Sequence, residues 1–303
     1  MNPSITSRRP GLLADNDPAN AHRPDSLTLR YSGDIRTELM AGAVFVLQAA
    51  HPVITTALNQ HSRFREEPWK RLQEIAASGR RFIYSGQEAS LREGQRLREI
   101  HRKITGQDDS GQSYHALNPE AYGWVHTVFL DTTFRAHALY GDALSEASQE
   151  GLFVEWLRLG EIFGLRRQDM PRTLPQYREY FRSMVKDRLE YSPLIAELLG
   201  TAAPPPPDNL LLPATVWPLL WKPAGKAKSW LTLAALPDDF RQKLVQDFPW
   251  TEKDERNFQR WRQVVRHTIK ALPARWRQLP DAWHAMHPVQ EKAGEKRELR
   301  TAG

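Results

Sequence analysis

The sequence predicts an all-α protein, built as a single-domain bundle of many helices. From about residue 35 onward the apolar residues recur at three- and four-residue intervals, and alternating runs of β-branched residues are few. Glu, Gln, Arg, Leu and Ala, which favour helices, are abundant in the same region. A chain of 303 residues with 40% hydrophobic content can fill one large core.

The first four helices are expected at 35–58, 67–79, 87–105 and 118–139. Pro52 should interrupt the first of these helices, because proline lacks a backbone donor and restricts the residue before it. Gly106 follows the third helix and is typical of a helix end. The fourth helix is apolar around most of its circumference, which indicates that it is central to the bundle.

The remaining helices are expected at 145–163, 174–189, 193–199, 214–221, 226–234, 237–246 and 252–270. Ser145 and Gly164 mark the ends of the helix 145–163, and Thr251 followed by Asp254 opens the last one. Three prolines at 213, 218 and 223 should prevent one continuous helix between residues 210 and 236.

The domain boundaries follow from composition. Residues 1–30 are rich in Pro, Asn, Asp and Ser, and residues 288–303 are charged, so both are expected to be tails around a helical domain at 31–287. The segment TAAPPPPD at 201–208 is the strongest internal break, and it predicts a spacer within this domain.

Composition also disfavours several classes of function. The chain contains no Cys, which excludes disulfides, iron–sulfur clusters and thiolate-ligated haem, and fits a cytoplasmic location. Much of the net charge of +6 lies at the two ends, and basic residues elsewhere alternate with acids, so nucleic acid is not an expected partner. No apolar run of signal-peptide or membrane-spanning length is present, and the longest runs from Met40 to Ala50.

His101 is the first candidate functional residue. Gly94, Leu97, His101 and Ile104 share one side of the helix 87–105, so His101 should point inward. Arg98, one turn earlier, should carry its guanidinium into the same region. A structural, hydrogen-bonded histidine is the alternative, and the side-chain-free Gly94 indicates close approach of either a flat ligand or another helix.

Three further residues are candidates for a buried pocket. His126 lies on the apolar central helix, where it is either a hydrogen-bonded core residue or a residue facing a cavity. His51 precedes Pro52, where it either caps the interrupted helix or lines the pocket. Arg63, between two helices, could bind a carboxylate or take part in a surface ion pair.

Other catalytic frameworks are not supported by the spacing of residues. The chain has no HExxH motif, no two Glu-x-x-His pairs of a di-iron bundle, no Gly-rich phosphate loop and no GxSxG elbow. Zinc protease, di-iron, nucleotide-binding and hydrolase functions are therefore disfavoured.

The order of several segments resembles the MpaB-type oxygenases, the family that includes the latex-clearing rubber oxygenases. The resemblance covers about residues 33–286. Its segments are AGAVFVLQAAHP (41–52), QHSRF (60–64), PWKRL (68–72), RLREIHRKITG (96–106), WVHT (124–127), GEIFG (160–164) and LPDAWHA (279–285).

The resemblance implies a central buried pocket for haem b and oxygen chemistry at its iron. It implies His101 as the axial ligand and His126 as the second pocket residue and fallback ligand. His51 and Arg63 are the further cofactor-binding candidates, and Arg98 is assigned a catalytic role as the Arg of the RxxH pattern.

The resemblance also assigns a catalytic role to Arg71, on the helix that covers the distal side. Rubber-cleaving members have Lys and Thr one turn after this Arg, and the matching positions here are Glu74 and Ile75. We therefore expect a haem-dependent oxygenase that acts with dioxygen on a small or lipid-like apolar substrate rather than on polyisoprene.

Two alternatives remain: a non-catalytic haem-binding or haem-sensing protein, and a helical scaffold in peripheral contact with a membrane surface. The second rests on the Trp-, Leu- and Lys-rich segment from Leu210 to Leu236. Packing of these tryptophans against the core is the simpler explanation of the same residues.

Overall fold

The computed structural model describes residues 11–208 and 215–288. Within them the fold is predominantly α-helical, which confirms the predicted class. The twelve α-helices of the described residues are α1 (Ala41–Ala49), α2 (Pro52–His61), α3 (Pro68–Ile83), α4 (Gln87–Arg102), α5 (Pro119–Tyr140), α6 (Glu146–Phe163), α7 (Leu174–Ser183), α8 (Pro193–Leu199), α9 (Trp217–Ala235), α10 (Asp238–Gln242), α11 (Glu252–Ala271) and α12 (Pro280–Met286).

Helix α5 is the centre of the bundle. Trp124 and Tyr140, near its two ends, are both fully buried. The helix packs against α1, α6 and α11, and the indole N–H of Trp124 donates to the carbonyl of Leu47 on α1 at 2.8 Å. Its predicted bounds are confirmed to within one residue, and the side chain of Asn118 caps its first turn.

The break at Pro52 is confirmed and is sharp. Helix α1 ends at Ala49, α2 begins at Pro52, and the segments Ile35–Ala49 and Pro52–His61 meet at 97°. The first part of the predicted helix, Ile35–Met40, is a 3-10 helix. None of the residues of α2 is fully buried, although Ile54 and Leu58 pack against the core.

Among the described residues no single helix is long and apolar enough to cross a lipid bilayer. The bent pair Ile35–Ala49 and Pro52–His61 meets the criteria of length and composition only when its two parts are taken together.

A small hairpin replaces the end of the third predicted helix. Helix α4 stops at Arg102 rather than 105, and β1 (Thr105–Gln107) pairs antiparallel with β2 (Ser113–His115). In the connecting turn Gly111 has φ +81°, which a side chain would disfavour, and Asp108 accepts backbone hydrogen bonds from Ser110 and Gln112. Strands of three residues are too short to show alternating hydrophobicity, so the pattern did not reveal them.

The predicted division between 214–221 and 226–234 is wrong for the described residues. Helix α9 is continuous from Trp217 to Ala235 with Pro223 inside it. Pro218 lies in the first turn, where no intrahelical donor is needed. Pro223 leaves the carbonyl of Leu219 without its helical donor, and Leu219 is 72% exposed, so water can reach this part of the helix.

Other boundaries also differ from the predictions. The helix expected at 174–189 ends in a π-helical turn at Met184–Arg188. The helix expected at 237–246 is reduced to α10, and α12 was not predicted.

Residues 20–29, expected in the N-terminal tail, pack on the domain. Ala21 and Leu29 are 1% exposed, and the carboxylate of Glu155 accepts hydrogen bonds from the backbone of Leu27 and Thr28. The outer parts of the two predicted tails, 1–10 and 289–303, lie outside the described residues.

Helices α3, α4 and α6 pack side by side, and Gly94 explains how α4 approaches α6. A Cβ atom at position 94 would overlap the carbonyl oxygen of Ile162 on α6. Of the two alternatives for Gly94, the structure therefore shows close approach of another helix.

We predict that Gly94→Ala lowers the free energy of unfolding by about 1–3 kcal/mol, because the backbone of α6 must move to admit the methyl group. Gly79→Ala is the matched control: Gly79 lies inside α3 with nothing within 4 Å of an added Cβ, so the same change should stabilise by about 0.5–1 kcal/mol. Urea unfolding of the three proteins measures the difference. Equal stability of the two variants would contradict this account of the helix contact.

Glu93 connects α3 to α4. Its side chain is 3% exposed and accepts hydrogen bonds from Ser78 (2.5 Å) and Arg81 (3.0 Å) on α3 and from Arg96 (2.5 Å) on α4. Burial disfavours the ionised carboxyl, yet the hydrogen bonds from Arg96, Arg81 and Ser78 outweigh it and lower the pKa of Glu93 to about 2.

We predict that Glu93→Gln destabilises the protein by about 1–3 kcal/mol at neutral pH, because charged hydrogen bonds at a buried site are lost. The pKa of Glu93 is lower in the folded chain than its ordinary value of 4.5, so the native carboxylate stabilises fully above that pH and less as the pH falls towards about 2. The difference between the two proteins in denaturant midpoint should shrink over this range. Glu88→Gln, which removes an ion pair 72% exposed on both sides, should have little effect at any pH.

Candidate functional site

A cavity of about 450 Å³ lies between α2, α3, α4 and α5. Its volume falls within the range of about 300–1,000 Å³ that is typical of small-molecule sites. The apolar side chains of its wall come from four helices and from the end of the hairpin: Val53, Ile54, Ala57, Leu58, Ile100, Ile104, Ala116, Ala121, Val125 and Phe163.

The mouth of the cavity is charged. Arg63 comes from the loop after α2, and Glu67, Lys70, Arg71 and Glu74 come from the start of α3; all five side chains are exposed. Lys70 pairs with Glu67 at 3.2 Å and Arg71 with Glu74 at 3.5 Å. Exposed ion pairs contribute at most about 1 kcal/mol, so these cations can turn to a bound anion at low cost.

Arg63 is the cation at this mouth that has no partner among the described residues. Its guanidinium has no hydrogen bond or ion pair with any of the residues that the structure describes. A guanidinium presents several donors in a plane that matches a carboxylate. The position therefore suits an anionic group of a ligand.

His101 forms part of the cavity wall on α4. Its Nδ1 lies 2.7 Å from the carbonyl oxygen of Leu97, and since a carbonyl only accepts, Nδ1 carries the proton and donates. The second nitrogen, Nε2, then has a free lone pair, and it has no hydrogen-bond partner within the described ranges 11–208 and 215–288.

The imidazole of His101 is in the neutral form, which can act as a metal ligand. Burial lowers the pKa of its imidazole below the ordinary value; the hydrogen bond to Leu97 opposes this shift, while the charges of Arg71 and Arg96 add to it. The ring is therefore neutral at pH 7, which is the form that binds metals. Metal-binding histidines commonly donate their other N–H to a backbone carbonyl, as His101 does.

The hydrogen bond to the preceding turn is not by itself distinctive. His267 and His287 make the same contact with Gln263 and Trp283, at 2.7 and 3.0 Å, but both lie on the exposed surface. What distinguishes His101 is that its neutral ring forms part of a cavity wall.

Tyr122 and Phe163 form an aromatic layer beside His101. Their rings stack at 4.2 Å, and the ring of Tyr122 meets that of His101 edge to face at 5.4 Å. The hydroxyl of Tyr122 donates to the carbonyl of Phe163 at 3.0 Å, and burial raises the pKa of this hydroxyl. Both residues line the cavity, and neither was predicted as a site residue.

The sequence contains part of the information needed to predict this aromatic layer. Val125 lies four residues after Ala121 and three after Tyr122, so the three side chains share one face of α5. On a helix that is apolar around most of its circumference, however, nothing indicates which face meets a cavity.

His126 lies apart from this cavity. Its Nε2–H donates to the carbonyl of Trp156 at 2.7 Å, and burial lowers its pKa to about 4. It lines a second cavity of about 20 Å³, the space of roughly one water. The ring of Phe163, which lines the main cavity, stacks with that of His126 at 6.1 Å.

Arg98 lies at the end of α6 rather than in the cavity wall. Its guanidinium donates to the carbonyl of Ile162 at 2.6 Å, and its aliphatic part packs over Gly164, whose φ is +111°. A cation at this position satisfies the last carbonyls of α6. The predicted catalytic role of Arg98 stays a prediction.

His51 supports the bend between α1 and α2 and does not line the cavity. Its side chain is fully buried, makes no capping hydrogen bond to α2, and donates from Nε2 to Glu120 at 3.2 Å. Burial lowers the pKa of His51, and the charge of Glu120 opposes the shift. Arg188 donates to the same carboxylate at 2.6 Å.

Of the predicted site residues, the structure thus brings Arg63, Arg71 and His101 together and places Arg98, His126 and His51 elsewhere. In the part of the chain that the structure describes, no group of three or more His, Asp or Glu side chains could hold a metal ion. The histidines that line the cavity are His101 and His61. His61 is exposed at the end of α2, so a metal inside the cavity would be bound through Nε2 of His101.

Comparison with known families gives one assignment. Searches among curated proteins and among solved structures give no significant match. The model of one family, described as "ER-bound oxygenase mpaB/B'/Rubber oxygenase, catalytic domain", matches residues 29–267. This range includes every residue of the cavity described above. The chain therefore belongs to the mpaB/rubber oxygenase family.

Proposed function

We propose that this protein is a haem b-dependent oxygenase that acts on a small or lipid-like apolar molecule, with Nε2 of His101 as the protein ligand of the iron. The observation that carries the proposal is the neutral His101 in the cavity wall, with Nδ1–H donated to Leu97 and Nε2 free. The macrocycle of haem supplies the other nitrogen ligands, so one histidine is sufficient.

The mouth of the cavity fits the acidic edge of a haem. Haem b carries two propionates, and Arg63 and Lys70 are two cations at the mouth that would bind them. Arg63 has no contact to break among the described residues, and Lys70 exchanges only an exposed ion pair. When bound, haem b would supply the redox-active iron that activates dioxygen.

The walls of the cavity favour an apolar substrate. The side chains of Val53, Ile54, Ala57 and Leu58 on α2, of Ile100 on α4 and of Ile104 just after α4 line the cavity and have no hydrogen-bonding atoms. Such walls exclude water and select by shape and apolar area. A substrate rich in hydrogen-bonding groups would lose its contacts with water on entering.

Arg71 is the cavity residue best placed to act on a substrate or on dioxygen. It lines the cavity, as His101 does, and its charge adds to the lowering of the pKa of His101 by burial. Glu74, at the position where rubber-cleaving members have Lys, pairs with Arg71 at 3.5 Å. A carboxylate at this position reverses the charge beside the cavity, which supports a substrate other than polyisoprene.

We predict that the protein, expressed with haem supplied, shows a Soret band that His101→Ala abolishes or shifts. His267→Ala is the matched control, because His267 makes the same contact with the preceding turn on the exposed surface. His126→Ala tests the alternative ligand and should keep the spectrum of the unchanged protein. Imidazole added to His101→Ala should restore the band, which separates loss of the ligand from loss of folding.

An unchanged haem spectrum in His101→Ala would contradict the proposed ligand, and loss of the band in His126→Ala alone would move it to His126. Oxygen consumption by the haem-loaded protein with apolar alkenes or aldehydes then tests turnover. Haem binding without oxygen consumption across such a series would leave a haem-binding or haem-sensing protein.

We predict that Arg63→Glu weakens haem binding about fivefold or more, because an exposed charged contact contributes up to about 1 kcal/mol and reversal adds repulsion. Arg65→Glu is the matched control: Arg65 is two residues away, pairs with Glu197 at 2.8 Å, and does not line the cavity. Titration of the haem-free protein with haemin measures both affinities. Equal losses in the two variants would indicate a general effect of charge rather than a contact at the mouth.

A further inference from the structure

The first half of α9 has an exposed face of unusual composition. Leu219 and Leu220 are 72% and 46% exposed. The other exposed residues between 218 and 227 are Pro218, Lys222, Pro223, Ala224, Lys226 and Ala227. Every exposed residue in this stretch is thus apolar or a lysine, and the whole helix Trp217–Ala235 contains no acid.

The apolar and basic residues occupy adjacent sides of the helix. At about 100° per residue, Leu219, Leu220, Pro223 and Ala227 fall within one sector of about 100°. The two lysines at 222 and 226 lie one turn apart along one edge of this sector. This pattern is typical of a helix that lies in the plane of a membrane surface, with apolar side chains inward and lysines at the headgroups.

A tryptophan cluster fixes this helix to the body of the protein. The rings of Trp217 and Trp221 lie 5.9 and 6.0 Å from that of Trp69 on α3. The indole N–H groups of Trp69 and Trp217 donate to the carbonyls of Pro205 and Pro204 at 2.8 and 2.7 Å. The tryptophans are half-buried, so they pack on the domain, which agrees with the simpler explanation given for this segment. Leu219 and Leu220 beside them are exposed.

Leu72 adds an exposed apolar side chain on the side of α3 that contacts this helix. Leu72 lies three residues after Trp69, on the same side of α3, and is 45% exposed. The cavity residues Lys70 and Arg71 lie on the other side of α3.

We propose that the exposed face of residues 218–227, together with Leu72, docks the protein on an anionic lipid bilayer. The charges favour this occupant: the helix offers lysines and no acid, and Glu67 and Glu74 on α3 are already paired with Lys70 and Arg71. A second copy of the chain would bring lysines against lysines. Docking concerns the surface alone, so it stands or falls independently of the oxygenase proposal.

Flotation of the full chain, without haem, on vesicles tests the docking. We expect binding to phosphatidylcholine vesicles that contain phosphatidylserine and much weaker binding to phosphatidylcholine alone, with a steep loss as salt is raised. Lys222→Ala with Lys226→Ala should weaken binding roughly tenfold or more, since each lysine near an anionic surface contributes about fivefold. Leu219→Ser with Leu220→Ser should weaken it on both kinds of vesicle.

Val264→Ser on α11 is the matched control, because Val264 is also strongly exposed, at 64%, but lies on a helix with many charges of both signs. It should bind as the unchanged protein does. Failure of the unchanged protein to float with anionic vesicles would overturn the proposal, as would equal binding by the control and the leucine variant. A dimer in light scattering that Leu219→Ser with Leu220→Ser dissolves would instead assign the face to self-association.

Discussion

Tyr122 and Phe163 stack at 4.2 Å, and the hydroxyl of Tyr122 donates to the carbonyl of Phe163. This contact joins the central helix to the last residue of α6, and the remainder of the site is arranged around it. It supplies one side of the main cavity and an edge for His101 to pack against. The ring of Tyr122 contacts that of His101, and the ring of Phe163 stacks with that of His126. Each histidine therefore packs against a different member of the stacked pair.

The two histidines differ because of those environments. Both donate one ring N–H to a backbone carbonyl, and burial lowers the pKa of both. His101 faces a space large enough for a cofactor, whereas His126 faces a space of about one water. A neutral imidazole becomes a metal ligand only where the metal can reach it, so the volume beside the ring distinguishes the two.

The bend at Pro52 has a comparable effect on α2. It turns the helix by 97°, and the apolar residues Val53, Ile54, Ala57 and Leu58 then line the cavity, while Ile54 and Leu58 also pack against the core. His51 and Glu120 support the bend from within. The bend therefore places the apolar side chains of α2 in the wall of the cavity.

The sequence by itself determined the helical class, the central position of α5, the break at Pro52 and the inward placement of His101. Each depends on local backbone chemistry or on the period of one helix, which a single segment contains. The order of its motifs also indicated the oxygenase family, which the family match over residues 29–267 confirms.

Only the tertiary structure decided which faces meet a cavity. His126 and His101 both lie on inward faces, yet the packing of α5 against α6 separates them, and Gly94 admits α6 rather than a ligand. The continuity of α9 through Pro223 likewise depends on access of water to that side of the helix. Volumes and exposures arise between segments distant in sequence, so periodicity within one helix does not contain them.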